Sequence, residues 1–511
     1  MNDKPIRRIV IVGGGTAGWM TAAPLAQRLA RRADAPCEVI LVESPEIGTI
    51  GVGEATLPTI RFYNAALGLD PDNFVRQTKA SYKLGIEFTD WGRVGNRFFH
   101  GFGDFGPSLG KHPTYMYWLR MAAQFNNMPA LENWSVSSMM ARTNKFVPPD
   151  ERTPSPVLDT YSYGYHFDAG LYANHLRDYA IARGAQRIEG MVVEVEQHPE
   201  SGYITALKLR DGRRIEGDLF VDCSGFRGLL IEGALKAGYE DWSEQLPCNS
   251  ALAVPCASAA ALTPYTRSSA KEAGWTWRIP LQHRTGNGHV YSNAFTSDER
   301  AREVLLDSLD GDALDEPRQL RFVTGRRKKS WVKNCVAVGL SAGFVEPLES
   351  TSIHLIETAV GKLVELFPDR ECRPELADEF NRAMGVRYES VRDFIILHYK
   401  LTERDDSEFW RYCANMPIPD SLRHQIELFR ETGRVAILDR DGFAEPSFVA
   451  MLMGLGVVPK RYDPFVDGVD IRQVHGHFAG VRDMIAQGVN RMPAHDAYIA
   501  GQVKGASPRA A

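Results

Sequence analysis

The hydrophobic pattern of the chain changes from short continuous runs near the N-terminus to helical spacing towards the C-terminus. Continuous β-branched runs at residues 9–12 and 39–42 predict buried strands, because parallel strands covered on both faces are apolar throughout. Apolar residues spaced three and four apart predict helices over 374–399, 421–430 and 471–487. Strands that alternate with helices predict an α/β fold, here with a helical C-terminal region.

The middle of the chain predicts a second sheet. Segments 187–196, 204–210 and 215–221 have the composition of strands, and the last of them ends in a new glycine turn. Because that turn repeats the strand-to-glycine pattern of the N-terminus, we expect the intervening strands to form an inserted sheet. The expected domain division is 1–367 for the sheet-containing part and 368–511 for the helical part.

Composition narrows the class of protein. The chain has 511 residues with 44% hydrophobic content, which is enough for a large core. A net charge of -5 gives no reason to expect binding to nucleic acid or to an anionic membrane. The seven cysteines are scattered without a C-x-x-C pair, so neither a metal site nor a disulfide framework is indicated and a cytoplasmic location is expected. No apolar stretch reaches the length of a membrane span.

Three glycines follow the first predicted strand. Gly13, Gly15 and Gly18 form G-x-G-x-x-G between a strand and a helix, the context in which this motif binds a dinucleotide. The first glycine permits a sharp turn, the second lets a pyrophosphate approach the backbone, and the third allows close packing of helix on strand. Glu43, at the end of the second strand, is suited to accept a hydrogen bond from a ribose hydroxyl. The alternative is a glycine turn in an unrelated α/β protein.

Two tryptophans with one residue between them form the most unusual segment of the chain. Trp275 and Trp277 lie in the pattern Trp-x-Trp-x-Ile-Pro, and on a strand both side chains project from the same face. With the glycine motifs, this segment resembles the flavin-dependent tryptophan and indole halogenases, over residues 9–456. The resemblance implies an FAD-binding, Rossmann-like fold of the flavin monooxygenase type, in which the two tryptophans separate organic substrate from flavin. Closing a core layer is the other role open to such a pair.

The resemblance also extends the cofactor site. The G-x-G-E-A-T sequence of residues 51–56 resembles the family loop that lies along the flavin, which adds Val52 and Ala55. The segment 330–344 resembles the third segment that closes over FAD, which adds Leu340. The cofactor-binding candidates are therefore Gly13, Gly15, Thr16, Ala17, Gly18, Glu43, Val52, Ala55 and Leu340.

Two lysines compete for the catalytic position, Lys79 and Lys83. Lys83 follows an aromatic residue at the opening of a predicted strand and matches the family's catalytic lysine, whereas Lys79 does not fit that pattern. A lysine in apolar surroundings is partly desolvated, which makes its ammonium a suitable donor to a reactive oxidant. Without the resemblance, an exposed surface lysine is the simpler interpretation.

Polar residues precede a helix predicted from Ile353. Ser350 is a natural N-cap, which places the amides of Thr351 and Ser352 in the first turn. First-turn amides at the positive end of a helix dipole bind anions, so a halide suits this place. By resemblance, Glu349 is the catalytic glutamate and Ser350 helps to position the oxidant. The family usually has glycine where Ser352 stands.

Aromatic residues concentrate in 96–106, which has the composition of a glycine-rich loop able to sandwich a planar substrate. His100 and Phe102 match the family's substrate-stacking pair, and a loop anchored in the core by its aromatics is the alternative. Near the C-terminus, Ser447 and Phe448 stand where tryptophan halogenases have tyrosines that hold the amino-acid end of tryptophan. The resemblance therefore favours an indole ring without that handle, with Phe448 at the substrate.

The resemblance implies an enzyme that uses FADH2 and O2 to convert chloride or bromide to hypohalous acid. Lys83 and Glu349 then direct the halogen to a small, electron-rich aromatic substrate such as an indole. A separate NAD(P)H-dependent flavin reductase is the expected partner, and a homodimer is a further expectation. Two alternatives stay open, an FAD-dependent aromatic monooxygenase and a non-catalytic flavin-binding module. The sequence leaves the native substrate and the halide preference undecided.

Overall fold

The computed structural model describes residues 4–30, 36–46, 53–150, 152–258, 261–437 and 442–504. The chain folds into two compact units, each built from three separate segments. The first unit comprises Met1–Lys79, Phe167–Ser243 and Arg321–Val391, and the second comprises Ala80–His166, Glu244–Leu320 and Arg392–Ala511. The boundary expected after residue 367 stays a prediction. Among the described residues, no helix has the length and hydropathy needed to cross a membrane.

The strands found in the described residues are β1 Arg8–Val12, β2 Glu38–Glu43, β3 Gly53–Ala55, β4 Ser81–Lys83, β5 Gly85–Thr89, β6 Arg97–Gly101, β7 Gly164–Asp168, β8 Gln186–Glu189, β9 Val192–Gln197, β10 Ile204–Leu209, β11 Arg214–Glu216, β12 Leu219–Asp222, β13 Tyr239–Asp241, β14 Ser250–Cys256, β15 Thr266–Lys271, β16 Gly274–Pro280, β17 Thr285–Tyr291, β18 Arg318–Arg321, β19 Gly325–Arg327, β20 Trp331–Val332, β21 Cys335–Ala337 and β22 Gly343–Phe344.

The α-helices in the same part of the chain are α1 Thr16–Leu25, α2 Ile60–Ala66, α3 Pro71–Gln77, α4 Thr114–Gln124, α5 Val136–Arg142, α6 Ala169–Ala182, α7 Asp298–Asp307, α8 Ser352–Glu365, α9 Pro374–Lys400, α10 Glu408–Asn415, α11 Asp420–Thr432, α12 Glu445–Gly454, α13 Ile471–Arg491 and α14 His495–Lys504. Short 3-10 or π-helical turns occupy Ala26–Ala30, Leu131–Trp134, Gly225–Arg227, Leu229–Ala234, Gly339–Ser341, Pro347–Glu349 and Pro464–Gly468.

A six-stranded sheet forms the centre of the first unit, in the order β20-β21-β12-β1-β2-β8. The central strand β1 pairs in parallel with both β2 and β12. Its residues Ile9, Val10 and Ile11 are completely buried, as the continuous apolar run predicted for a strand covered on both faces. The parallel sheet, with α1 directly after β1, confirms the Rossmann-like α/β fold.

Strands β9, β10 and β11 form a separate antiparallel sheet, and in sequence they lie between β8 and β12 of the parallel sheet. This confirms the inserted sheet, although two of the predicted strands are too long. Residues 187–196 break at Gly190 into β8 and β9, and residues 215–221 break at Gly217 into β11 and β12. In each case the two pieces belong to different sheets. An alternating pattern does not change where the chain passes from one sheet to the next, so the sequence could not show the breaks.

A seven-stranded sheet forms the centre of the second unit, in the order β18-β14-β17-β16-β15-β5-β6. Strand β15 pairs with β5 in parallel, and β5 pairs with β6 in antiparallel register. The expectation of a loop over 96–106 is wrong for its first half, because β6 lies there. The ring of Phe98 stacks on that of Phe88 in β5, with centroids 5.1 Å apart. The glycines and polar residues of this segment are typical of a loop, and the strand forms because it pairs with β5.

The two faces of the seven-stranded sheet differ in chemistry, because side chains alternate along each strand. One face carries Phe88 and Trp277, which flank Ser268 in the register of the sheet. The opposite face forms a polar groove of about 460 Å³, with Arg267 and Arg278 in its lining. Both arginines pair with Asp310. In this register Arg267 and Arg278 share one face of the sheet, and Phe88 and Trp277 share the other.

Helices α9, α11 and α13 confirm the three helices predicted in the C-terminal region. Helix α6 has Asp168 as its N-cap, whose carboxylate accepts hydrogen bonds from the amides of Gly170 and Leu171. Such a cap typically contributes about 1 kcal/mol to stability.

Candidate active site

Close packing at the turn between β1 and α1 requires glycine at two of the three motif positions. Gly13 has a φ of +113°, and a Cβ atom there would lie 2.2 Å from the carbonyl oxygen of Cys223. A Cβ atom on Gly18 would lie 1.8 Å from the carbonyl oxygen of Gly13. Neither position has room for a side chain. These two glycines therefore bring β1, β12 and α1 together at the carboxyl end of the parallel sheet.

Gly15 differs from the other two, because a Cβ atom there would meet no atom within 4 Å. It is the N-cap of α1, and Thr16 and Ala17 begin the first turn, which contains no acidic residue. The first amides of a helix point outwards and attract anions. The open space at Gly15 and the first-turn amides of α1 therefore fit the pyrophosphate of a dinucleotide such as FAD.

Glu43 lies at the predicted place beside the glycine turn. A Cβ atom on Gly14 would overlap the Glu43 carboxylate, so this acid lies directly against the turn. One of its oxygens accepts a hydrogen bond from Arg187 of β8, a partner that was not predicted. The guanidinium fixes the carboxylate beside the turn, where a ribose would lie if the pyrophosphate is at Gly15.

Two further cofactor candidates lie on described elements of the first unit. Ala55 ends β3 and is buried. Leu340 is half-buried in the 3-10 turn that follows β21. A Cβ atom on Gly339, which has a φ of +74°, would lie 2.7 Å from Cβ of Ala17, so the turn containing Leu340 lies against the start of α1. Val52, also predicted to bind the cofactor, lies outside the described residues.

The predicted halide site lies where a 3-10 turn passes into α8. The helix begins at Ser352 with Thr351 as its N-cap, so the expectation that Ser350 is the N-cap is wrong by one residue. Ser350 instead has a left-handed backbone with a φ of +61° and ends the turn that contains Glu349. A left-handed residue reverses the chain direction between two helical turns, which sequence preferences for caps do not reveal.

One buried hydroxyl at this helix start has no hydrogen-bond partner among the described residues. Thr351 is completely buried, and its Oγ1 makes no hydrogen bond to any described residue. Leaving a buried hydroxyl unsatisfied costs about 1–3 kcal/mol. The amides of the first turn of α8 add further donors, and Ser352 is only half-buried. Glu349 is completely buried on the preceding turn. The arrangement fits a small anion that accepts hydrogen bonds from Thr351 and the first-turn amides.

In the second unit, Lys83 ends β4 and is completely buried. Its Nζ lies 5.0 Å from the centroid of the Phe102 ring, close enough for a cation–π interaction. Lys79, the competing candidate, is exposed. The distinction drawn from the sequence between the two lysines therefore corresponds to a large difference in environment.

The aromatic candidates of the second unit are brought together by Phe394 of α9. His100 and Phe102 lie edge to face with centroids 6.4 Å apart, and His100 is 5.9 Å from Phe394. Phe448 of α12 meets Phe394 at 4.9 Å, and Phe443 stacks on its other side at 3.8 Å. Phe394 and Phe443 were not predicted, because they lie almost 300 residues or more from His100 in the sequence and belong to no motif.

Trp275 and Trp277 lie on the same face of β16, as predicted, with ring centroids 6.0 Å apart. Trp275 is buried and Trp277 is half-buried. A Cβ atom on Gly288 of β17 would lie 2.0 Å from the Trp277 ring, so this glycine leaves the space in which the indole lies flat. The pair forms a rigid wall on the aromatic face of the sheet.

Ser447 and Glu445 occupy the start of α12, where an amino-acid clamp would be needed for free tryptophan. The Tyr115 hydroxyl donates a hydrogen bond to Oε1 of Glu445 at 2.9 Å. Burial raises the pKa of Glu445 above its ordinary value, which weakens its preference for the charged form. This carboxylate is thus engaged by a neighbouring side chain.

Taken by itself, the first unit has the parallel sheet and glycine turn typical of dinucleotide-binding α/β proteins, with a buried, unsatisfied hydroxyl at the start of α8. The family model of tryptophan halogenases matches the chain over residues 8–471. A tryptophan 6-halogenase from Streptomyces toxytricini is 36% identical over 532 residues, which cover 98% of this chain and 99% of that protein. The chain therefore belongs to the tryptophan halogenase family, as the sequence motifs indicated.

Solved structures agree with this assignment. A flavin-dependent halogenase from Brevundimonas sp. BAL3 is similar with a TM-score of 0.92 and 46% identity, over 97% of this chain and 99% of that one. A flavin-dependent halogenase from Xanthomonas campestris is similar with a TM-score of 0.93 and 43% identity, over 97% and 98% of the two chains. The protein is an enzyme of the flavin-dependent halogenase family, and membership implies FAD and a halide ion.

The open position at Gly15 generates a prediction. Because its φ of -76° is accessible to alanine, Gly15→Ala should keep the fold, while its methyl group would occupy the space offered to the pyrophosphate. We expect FAD affinity to fall about tenfold or more, measured by flavin fluorescence titration. Gly18→Ala is the contrasting variant, since its methyl group overlaps backbone and should lower the unfolding temperature. Unchanged FAD affinity in Gly15→Ala would place the pyrophosphate elsewhere.

Proposed function

We propose that this enzyme converts chloride or bromide to hypohalous acid and uses it to halogenate an indole that lacks a free amino-acid group. The observation that carries the proposal is the complete burial of Lys83. Lysines are almost never fully buried, because desolvation of an ammonium costs several kcal/mol. The aromatic side chains beside it, Phe102, His100 and Phe394, offer faces and edges on which a planar substrate can stack.

When bound, reduced FAD would supply two of the four electrons that O2 takes up, and the halide would supply the other two as it becomes hypohalous acid. The chain's own contribution in the first unit is to hold the reactants. The open turn at Gly15 holds the pyrophosphate, and Glu43, fixed by Arg187, meets the ribose. Thr351 and Ser352 hold the halide, because the buried hydroxyl and the first-turn amides are hydrogen-bond donors at the positive end of a helix.

Lys83 acts on the hypohalous acid in the second unit. Its ammonium donates a hydrogen bond to the oxygen of the acid, which makes that oxygen a better leaving group. A bond forms between the halogen and a ring carbon as the bond between halogen and oxygen breaks. Glu349 accepts the proton that leaves the ring carbon, Ser350 helps to position the oxidant, and water is the second product. Trp275 and Trp277 keep the organic substrate away from the flavin.

The substrate end of the second unit favours an indole over tryptophan. Ser447 and Phe448 cannot hold a carboxylate and an ammonium together as a pair of tyrosines can. Glu445 is engaged by Tyr115, and burial raises its pKa, so it offers little to an amine. Phe448, packed edge-on against Phe394, presents an apolar surface suited to the ring itself.

A separate NAD(P)H-dependent flavin reductase would supply the FADH2. A cytoplasmic location, a homodimer, and the absence of nucleic-acid, membrane or metal partners stay predictions. The aromatic monooxygenase alternative predicts a product that has gained oxygen and no halogen. It is not favoured, because the relatives are halogenases.

Lys83→Met tests the proposal most directly. Methionine keeps the volume of the side chain and removes the donor, so we expect product formation to fall by about three orders of magnitude or more. Flavin oxidation and release of hypohalous acid should continue, measured with a 1,3-diketone trap. Lys79→Met is the matched control, since Lys79 is exposed, and it should keep activity. Halogenated product at the normal rate from Lys83→Met would refute the assigned role.

Thr351→Val tests the halide site through opposite effects on stability and activity. Because Thr351 Oγ1 lacks a partner among the described residues, its removal should leave the unfolding free energy unchanged or raise it by about 1 kcal/mol. The KM for chloride or bromide should rise about tenfold, since one charge-assisted hydrogen bond is lost. Thr358→Val is the control in the same helix, where the hydroxyl donates to the His354 carbonyl. A normal halide KM in Thr351→Val would exclude this hydroxyl from the site.

Substrate choice gives a third test. With FAD, a flavin reductase, NADH and either halide, we expect kcat/KM for indole to exceed that for free tryptophan by about tenfold or more, since an unpaired ammonium or carboxylate would be desolvated at the site. Product masses and rates measured for both substrates decide the matter. A clear preference for tryptophan would show that another group replaces the missing tyrosines.

A further inference from the structure

Backbone hydrogen bonds hold the short strand β4, which ends at Lys83, and Leu84 directly after it. The Leu84 amide donates to the Pro264 carbonyl at 2.7 Å, and the Leu84 carbonyl accepts from the Phe102 amide at 2.8 Å. The Tyr82 amide donates to Nε2 of His495 at 3.1 Å. The last of these bonds is unusual, because its acceptor is a side chain 413 residues away in sequence.

His495 is the first residue of α14 and is completely buried. Its Nδ1 lies 2.7 Å from the Leu262 carbonyl oxygen. A carbonyl oxygen only accepts, so Nδ1 carries the proton and Nε2 keeps the lone pair that accepts the Tyr82 amide. Burial lowers the pKa of His495 to about 4, in agreement with a neutral ring. The imidazole is therefore a donor on one side and an acceptor on the other.

The imidazole is fixed in place by its surroundings. The His495 amide donates to the Asn144 carbonyl at 2.9 Å, which anchors the start of α14. The Tyr82 ring stacks on Phe146, with centroids 4.0 Å apart and an angle of 17° between the planes. Tyr498, one turn further along α14, meets both rings edge to face. The C-terminal helix thus contacts both the backbone and the side chain of the residue before Lys83.

We infer that His495 is a positioning residue for Lys83, through which the C-terminal helix fixes the backbone that presents the ammonium to Phe102 and the reacting groups. This inference rests on the proposed function of Lys83. A displacement of about 1 Å at a catalytic group can reduce a rate by about two orders of magnitude. His495 lies beyond residue 471, where the match to the family model ends, and no sequence motif pointed to it.

Three substitutions separate the two hydrogen bonds of the His495 side chain, one to Tyr82 and one to Leu262. In His495→Gln the terminal amide oxygen reaches the Nε2 position and can still accept from Tyr82. In His495→Asn the shorter amide reaches the Nδ1 position and can donate to Leu262, but the acceptor for Tyr82 is lost. His495→Phe keeps the ring volume and loses both bonds. If the inference is right, the Asn and Phe variants form less halogenated product for each hypohalous acid made, and the Gln variant does not.

The measured quantity is the ratio of halogenated product to hypohalous acid, which we call coupling. A merely structural role of His495 would not change this ratio. For each variant, trapped hypohalous acid and halogenated indole are measured in the same reaction with FAD, reductase, NADH and bromide, and thermal unfolding gives the folded fraction. We expect the ratio of product to hypohalous acid to fall about tenfold or more in His495→Asn and His495→Phe, and to stay within about twofold of the unmodified enzyme in His495→Gln. Loss of folded protein alone would reduce both quantities together and leave their ratio unchanged.

Two results would overturn the inference. One is an unchanged ratio in both His495→Asn and His495→Phe, and the other is an equal fall in His495→Gln and His495→Asn. Lys83→Met, assayed in parallel, separates this failure from failure of the proposed function. If Lys83→Met abolishes product while the His495 variants stay coupled, the role of Lys83 stands and only the positioning role of His495 is wrong. If Lys83→Met forms product normally, the proposed function itself is wrong.

Discussion

The second unit depends on holding a lysine ammonium where water does not reach it. Lys83 is completely buried, and the hydration it loses must be offset by a fixed environment. The Phe102 ring supplies an electron-rich face at 5.0 Å. Such compensation works only at one geometry, since cation–π attraction falls off as the cation leaves the ring. The strand that carries Lys83 therefore has to be held as firmly as the ring, and Ser81 contributes by donating from Oγ to the Pro280 carbonyl at 2.6 Å.

Side chains alternate between the two faces of a β-strand, so one sheet carries a pair of tryptophans on one face and an ion pair on the other. Trp275 and Trp277 share a face, while Arg278, one residue further on, points to the other face and pairs with Asp310. A shift of register by one residue would exchange these faces and bury the ion pair among aromatic rings. Gly288 adds a second constraint, because only glycine leaves room for the Trp277 ring. Register is thus fixed by charge on one side of the sheet and by ring packing on the other.

Local sequence patterns were enough to predict the segments whose structure depends on neighbouring residues. The β1 strand, the glycine turn and the tryptophan pair each depend on residues close together in sequence. Strand β6 was missed because its stability comes from pairing with β5, and Phe394 and His495 were missed because they meet their partners across hundreds of residues. The N-cap of α8 was placed one residue early, since the left-handed conformation of Ser350 leaves no mark in composition.

Asp222 and Thr351 are both buried in the first unit, but they differ in how many hydrogen bonds their side chains make to described residues. Asp222 is completely buried, and its two oxygens accept four hydrogen bonds, from the amides of Ser224, Leu230 and Ile231 and the Ser224 hydroxyl. A carboxylate so saturated has no capacity left for a ligand, and its role is to fix the chain after β12. Thr351, equally buried, donates to no described residue. An unsatisfied buried hydroxyl is costly, and the proposed halide would offset that cost at Thr351 by accepting its hydrogen bond.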